Sequence, residues 1–214
     1  MKGLLKNDFL SVYANAKVFS VFLALFGVFV VAVASESLLI GYGLVAMVGF
    51  SVNAIGVSKN QAASQWGKYK LTLPVRRADI VKSLFINQAL WLLAGTLFAG
   101  TGLGLSWLLH GCPFYQAIDS LSLFSLGISM SLFMGAIFFP LFYFWGDERS
   151  EVSLVLSFLG AFALDWALIS AINHLLGTGT YAILAGLAIL LSCSLGAFCL
   201  SCPLTVGIFR RKEY

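Results

Sequence analysis

Few residues of this 214-residue chain have the types and spacing that chemistry requires. A phosphate-binding loop needs the pattern G-x-x-x-x-G-K-[ST], because backbone amides and the lysine must surround the phosphates. The only Gly-Lys pair is Gly67-Lys68, which is followed by Tyr69 and has Ala62 where the first glycine should be. The two histidines, His110 and His174, stand singly rather than among other metal ligands. The sequence therefore predicts no nucleotide site of this type, no catalytic cluster, no metal site and no cofactor in this chain.

Asp165 is the one acidic residue well inside an apolar segment. A carboxylate at the centre of a membrane helix costs about 2.5 to 3.5 kcal/mol on insertion scales, so such residues are candidates for a function. Asp165 could line a polar substrate path or bind a proton or another ion. It could equally be hydrogen-bonded by Ser170 or by a neighbouring helix near the outer surface. The sequence leaves both readings open.

A polar stretch from residue 58 to residue 82 combines basic and aromatic side chains. Its six basic residues are Lys59, Lys68, Lys70, Arg76, Arg77 and Lys82. Residues 62–71 can form a short helix that Pro74 ends, and Asp79 lies where the next apolar segment begins. An aromatic and basic helix can lie on anionic lipid headgroups, or it can dock in a groove of a soluble partner.

Composition defines the elements that carry these residues. Hydrophobic residues make up 60% of the chain and charged residues only 10%, against about a quarter in a water-soluble domain. Apolar side chains must therefore face lipid, where the backbone has to satisfy its own hydrogen bonds. Because the apolar runs are long and continuous rather than short and alternating, they predict helices and not a barrel.

Six apolar runs predict an all-α integral membrane protein with six transmembrane helices in a single domain, 1–214. Each run is close to or longer than the ~20 residues that span the hydrocarbon layer. The predicted spans are 18–34, 38–57, 84–109, 120–146, 152–172 and 180–206.

Basic residues predict the orientation of these spans. All 13 Lys and Arg residues fall before span 1, between spans 2 and 3, between spans 4 and 5, or after span 6. The positive-inside rule then places both termini in the cytoplasm of a multi-pass cell-membrane protein, with a cytoplasmic tail at 207–214. The basic residues that give the net charge of +4 are thus distributed according to the topology of the spans, which argues against a nucleic-acid partner.

The first 17 residues have the pattern of a helix that lies in the cytoplasmic interface. Leu5, Phe9, Val12 and Ala16 recur at helical spacing, opposite polar residues such as Lys6. An alternative is a signal peptide cleaved after the sequence Ala-Val-Ala at 32–34. The charged start and the apolar run are both longer than a signal peptide usually has, which favours the interfacial helix.

Small residues on the third span predict close helix packing. Gly100 and Gly104 have the strict G-x-x-x-G spacing, and Gly95, Thr96 and Ala99 extend the stripe. The contact could be internal or between subunits.

The order of the residues in the polar stretch resembles the sequence signature of a known family. The segment SQWGKYKLTLPVRRADIV at 64–81 resembles the S-x-W-x-x-Y-x-x-x-L-P-x-x-R-x-x-I-V signature of small bacterial ABC-2 type permeases, a group that includes peptide exporters and bacteriocin-immunity proteins. The matching positions are Ser64, Trp66, Tyr69, Leu73, Pro74, Arg77, Ile80 and Val81. The N-terminal sequence LLKNDF and the segment 140–146 extend the resemblance. Leu84 stands where the family usually has lysine, and the turn at 147–151 is more acidic than usual.

The resemblance implies that the stretch forms a coupling helix, which sits in a cleft of a separate cytoplasmic ABC ATPase and carries its closure to the spans. The residues implied in this coupling are Ser64, Trp66, Tyr69, Leu71, Leu73, Pro74, Arg76, Arg77 and Asp79, and those of the second cytoplasmic turn are Asp147, Glu148 and Arg149. ATP and Mg would be bound by the partner. The chain itself would be a non-enzymatic permease that forms a dimer, most simply a homodimer, and exports an amphipathic peptide or another hydrophobic substrate.

Two other functions fit the same composition. One is an ATP-independent secondary transporter or channel that uses Asp165 as its ion site. The other is a membrane-embedded enzyme, which is disfavoured because no cluster of carboxylates, histidines and nucleophiles is visible.

Overall fold

The computed structural model describes residues 2–33, 36–63, 77–111, 117–146, 149–177 and 179–211. Every element in these ranges is a helix, and six of them are long and apolar enough to cross a membrane. They are α1 (Lys2–Val33), α2 (Glu36–Ala63), α3 (Arg77–His110), α4 (Ala117–Trp145), α5 (Ser150–Leu176) and α6 (Thr180–Arg211). The predicted all-α fold with six spans is confirmed.

α1 is longer than the sequence pattern predicts. The helix does not end at residue 17, because no proline or glycine interrupts the chain between Gly3 and Gly27. It runs unbroken from Lys2 to Val33, so the N-terminal helix and the first span form one rod. Asp8, Val12 and Ala16, spaced by four, are all buried on one side of this rod. The start of α1 therefore packs against the rest of the protein.

The helices alternate in direction and form two groups of three. In the first group, Gly27 of α1 lies beside Tyr42 of α2, and Gly95 of α3 lies beside Ala46 of α2. In the second group, α4 packs extensively on both α5 and α6. α2 also packs on α4, more extensively than α1 packs on either α2 or α3, and smaller contacts of α3 with α4 and α6 join the groups as well. One end of the bundle, here called the basic end, is where α1, α3 and α5 begin and where α2, α4 and α6 end.

α2 and α3 approach each other closely at Gly95. A Cβ atom at Gly95 would lie 2.9 Å from the backbone oxygen of Ala46 and 3.0 Å from Met47 Cα. Gly102, two turns further on, packs against the Tyr42 ring. Around Gly104, in contrast, a Cβ would meet nothing within 4 Å. Internal packing of the small-residue stripe is thus confirmed at Gly95 and Gly102, and not at the Gly100–Gly104 pair that has the strict spacing.

Pro140 lies inside α4, where it lacks the N–H that would bond to the carbonyl of Ala136. The hydroxyl of Ser201 on α6 donates to this carbonyl over 2.6 Å. A neighbouring helix thereby satisfies the backbone group that the proline leaves free, as apolar surroundings require. The bond also joins α4 and α6 on their basic-end side.

α5 and α6 are the most exposed helices of the bundle. Only 22% of the residues in their most apolar windows are buried, against 56% in α4. Their outer faces carry large apolar side chains such as Phe162, Trp166 and Leu200. A surface of this kind needs lipid or another protein chain to cover it.

Candidate functional site

The part of the polar stretch that joins α2 to α3, residues 64–76, lies outside the described residues. This holds for seven of the residues implied in coupling: Ser64, Trp66, Tyr69, Leu71, Leu73, Pro74 and Arg76. Arg77 is the first residue of α3. Asp79 is half-buried in the first turn of α3, where a carboxylate complements the positive end of the helix dipole.

The turn between α4 and α5 is partly described. α4 ends at Trp145, and the following Gly146 has a φ of +85°, a conformation that glycine adopts without strain. Asp147 and Glu148 lie outside the described residues. Arg149 is exposed immediately before α5 and is available to a partner at the basic end.

The start of α1 is tied to α3 through two contacts that sequence reasoning missed. The Ser83 hydroxyl on α3 lies 2.9 Å from Asp8 Oδ2 and can donate to it. About two turns further along α3, the indole of Trp91 stacks on the ring of Phe9, with ring centroids 5.0 Å apart. Phe50 of α2 stacks on the same indole at 5.8 Å. Trp91, about four turns from the start of α3, thus connects all three helices of the first group.

A buried amide joins the two groups of helices. Gln88 of α3 donates from Nε2 to the backbone oxygen of Ser131 on α4, over 3.0 Å, and its side chain packs directly on Gly135. Gln88 Oε1 has no hydrogen-bond partner among the described residues, and the same is true of Asn87 Oδ1 and Ser51 Oγ. Sequence reasoning missed this group, although Asn87-Gln88 is an uncommon pair inside an apolar segment.

Asp165 lies in the second group of helices, near the middle of α5. Its side chain is only 6% exposed. The hydroxyl of Ser129 on α4 hydrogen-bonds to it, whereas Asp165 Oδ1 has no partner among the described residues. The sequence offered Ser170 or a neighbouring helix as the hydrogen-bond partner, and the structure favours the neighbouring helix. Ser170 is exposed.

An apolar cleft of about 280 Å³ lies between α4, α5 and α6, on the basic-end side of Asp165. Its walls include Phe133, Ile137, Leu164 and Leu204. Leu164 is the residue before Asp165, and Phe133 lies one helical turn from Ser129. The cleft thus begins next to Asp165 along the chain, although neither Asp165 nor Ser129 is one of its lining residues.

These features describe a membrane protein with a polar connection at one end and buried polar groups within the bundle. In the described ranges, no three His, Cys, Asp or Glu side chains lie close enough together to hold a metal ion. The class that the fold defines is a multi-pass helical membrane protein.

The comparisons with known proteins give the particular family. The family model described as "ABC-2 family transporter protein" matches residues 3–210, which is nearly the whole chain. The chain therefore belongs to the ABC-2 transporter family and is a membrane-spanning permease of the ABC transporter type. No curated protein and no solved structure matches it.

Proposed function

We propose that this chain is the permease subunit of an ATP-driven exporter whose ATPase is a separate cytoplasmic protein. The observation that carries the proposal is the position of the polar stretch. It connects α2 and α3, the two helices with the most extensive contact in the bundle. A partner that moves this stretch moves both helices together.

The contacts of α1 extend this unit to three helices. The Asp8–Ser83 hydrogen bond and the Phe9–Trp91 stack tie α1 to α3 within the first four turns of α3. Closure of an ATPase dimer on residues 64–77 would then shift α1, α2 and α3 as one body against α4, α5 and α6. Gln88 and Phe85 of α3 contact α4 across the boundary between the two groups, so such a shift would change these contacts.

The orientation and the assembly are part of the proposal. The basic end faces the cytoplasm, because all 13 Lys and Arg residues belong to it. Two copies assemble through part of the exposed apolar surface, to which α5 and α6 contribute most. The exported molecule is an amphipathic peptide or another hydrophobic compound, which suits the apolar cleft between α4, α5 and α6.

Association with the ATPase tests the proposal. The permease is co-expressed with the ABC ATPase encoded nearest to it and purified through a tag on the permease. We expect the ATPase to co-purify with the wild type and to be lost on Trp66→Ala with Tyr69→Ala, because buried aromatic anchors dominate docking. The matched control is Trp107→Ala with Tyr181→Ala, which removes two exposed aromatic residues at the opposite end.

Two results would contradict the proposal. ATPase that stays bound to the Trp66 and Tyr69 variant would show that these residues do not anchor it. Transport that continues in cells lacking the ATPase would show that the permease works without it, as a secondary transporter does.

A further inference from the structure

The carboxylate of Asp165 is deeply placed and incompletely satisfied. With a rise of 1.5 Å per residue, it lies about 22 Å from the start of α5 and about 16 Å from its end. Its side chain is 94% buried, as the complement of its 6% exposure. Ser129 is its one hydrogen-bond partner, and Oδ1 has none among the described residues.

Ser129 cannot satisfy this carboxylate alone. Its single hydroxyl proton can also be donated to the backbone oxygen of Leu126, 3.0 Å away on its own helix. An ionised carboxylate can accept about four hydrogen bonds, so most of its capacity is unused. The described basic side chains, such as Lys82, Arg149 and Arg210, belong to the helix ends and not to this depth. The described part of the chain thus supplies no counter-ion.

Packing does not require a carboxylate at this position. Ser153, Ser157 and Ala161, spaced by four residues before Asp165, are all buried, and they are small residues that allow helices to approach closely. Asp165 continues this row but adds a charge that costs about 2.5 to 3.5 kcal/mol in a membrane. A group that costs this much and that packing does not need is best explained by something it binds.

The cleft beside Asp165 indicates the chemistry of that ligand. Its walls are apolar, and its volume of about 280 Å³ is near the lower limit of ligand pockets. Its walls begin at Leu164, the residue before Asp165, and at Phe133, one helical turn from Ser129, so the cleft starts on the basic-end side of the carboxylate without being lined by it. Apolar walls beside a buried acid complement a molecule with an apolar body and a cationic group.

We propose that Asp165, positioned by Ser129, binds the cationic group of the transported molecule, a protonated amine or guanidinium on an apolar body that occupies the cleft. This inference rests on the proposed transport function and names its substrate class. A cationic amphipathic peptide has both parts, and the carboxylate would replace the water that its charged group loses inside the bilayer.

The test measures binding to the permease alone, reconstituted in nanodiscs of zwitterionic lipid. The probes are octylamine, which is protonated at neutral pH, and octanol, its neutral analogue of equal chain length. Equilibrium dialysis, with empty nanodiscs subtracted, gives the affinity for each. We expect the wild type to bind octylamine at least about tenfold more tightly than octanol, since a buried charge pair contributes at least about one factor of ten.

Variants separate the charge from the fold. Asp165→Asn should remove the preference for the amine and leave octanol binding unchanged, whereas Asp165→Glu should retain the preference. Ser129→Ala should weaken amine binding by a smaller factor. Asp119→Asn, which neutralises a half-buried carboxylate in the first turn of α4, is the matched control and should change neither affinity.

Equal binding of octylamine and octanol by the wild type would overturn the inference, even if Asp165→Asn did not fold. An unchanged amine preference in a folded Asp165→Asn variant would also overturn it. The assay contains no ATPase, so its outcome is independent of the co-purification experiment. Amine binding that depends on Asp165 in a permease that recruits no ATPase would refute the exporter and leave the cation site standing.

Discussion

Ser201→Ala is expected to destabilise the protein more than the loss of a serine normally does. The Ser201 hydroxyl is the donor to the Ala136 carbonyl, which Pro140 deprives of its helical partner. Hydrogen bonds between membrane helices contribute about 0.6 kcal/mol on average and about 1.7 kcal/mol at most. Leaving a buried carbonyl unsatisfied costs about 1 to 3 kcal/mol. We therefore expect a loss of about 1.5 to 2 kcal/mol, which is roughly a 10- to 30-fold change in the unfolding equilibrium.

The size of this effect should depend on residue 140. In a Pro140→Ala background, the new N–H can bond to the Ala136 carbonyl, so the hydroxyl is no longer its only donor. Ser201→Ala should then cost about 0.5 kcal/mol, the level of an ordinary substitution. The double-mutant cycle should give a coupling energy of about 1 to 1.5 kcal/mol. The direct effect of Pro140→Ala cancels in the cycle.

Denaturation in mixed micelles, followed by tryptophan fluorescence, measures the four stabilities of the cycle. Ser192→Ala is the control on the same helix, because this exposed serine bonds only to the Ala188 carbonyl of α6 itself. Its effect should stay within about 0.5 kcal/mol. A Ser201→Ala loss of equal size in both backgrounds would refute the reasoning, since the hydroxyl would then act independently of the carbonyl that the proline frees.

Three further predictions follow from contacts and from topology. Gly95→Ala should be about 1 to 3 kcal/mol less stable than Gly104→Ala in the same denaturation assay, because both gain equal helix propensity and only Gly95 meets the backbone of α2; equal stabilities would contradict that contact. Phe9→Ala, at a position 38% exposed, should lower stability by about 1 to 2 kcal/mol through the loss of its stack on Trp91, while Tyr13→Ala, at a position 52% exposed, should cost less than about 0.5 kcal/mol; similar losses would deny the stack a role. With the other three cysteines changed to serine, Cys112 should react with a membrane-impermeant maleimide on intact cells, and Arg149→Cys, with Cys112 also replaced, only after permeabilisation; the reverse pattern would invert the proposed orientation.

The six spans could be predicted from the sequence because run length and hydropathy decide them locally. The span that began furthest from its prediction was the third, expected from residue 84 and found from Ala78. Ile80 and Val81 already belong to the apolar segment, but the charge of Lys82 moved the predicted start of the span to residue 84. Asp79 and Lys82 lie where a membrane helix tolerates charges, since their side chains can extend towards the polar interface.

The contacts between helices could not be predicted in the same way, because they depend on which faces meet. The strict G-x-x-x-G spacing predicts a close contact at Gly104, where an added Cβ atom would meet nothing within 4 Å. At Gly95, in contrast, an added Cβ atom would meet the backbone of α2. The predicted apolar face of the first helix does not include Asp8, although its spacing from Val12 and Ala16 places it on the buried face. The sequence identifies Asp165 only through the energetic cost of a carboxylate inside a membrane helix. Predicting its hydrogen-bond partner on α4 would require the register of α4 against α5, which no pattern within α5 contains.

The Asp8–Ser83 hydrogen bond cannot form until α3 has been synthesised. The two residues are 75 positions apart. At a synthesis rate of about 5 to 20 residues per second, Ser83 follows Asp8 by roughly 4 to 15 seconds. During that interval the Asp8 carboxylate has no contact with α3, and the amphipathic start of α1 can lie among the lipid headgroups. The interfacial helix that the sequence predicts would then describe the nascent chain, before α3 arrives and binds it.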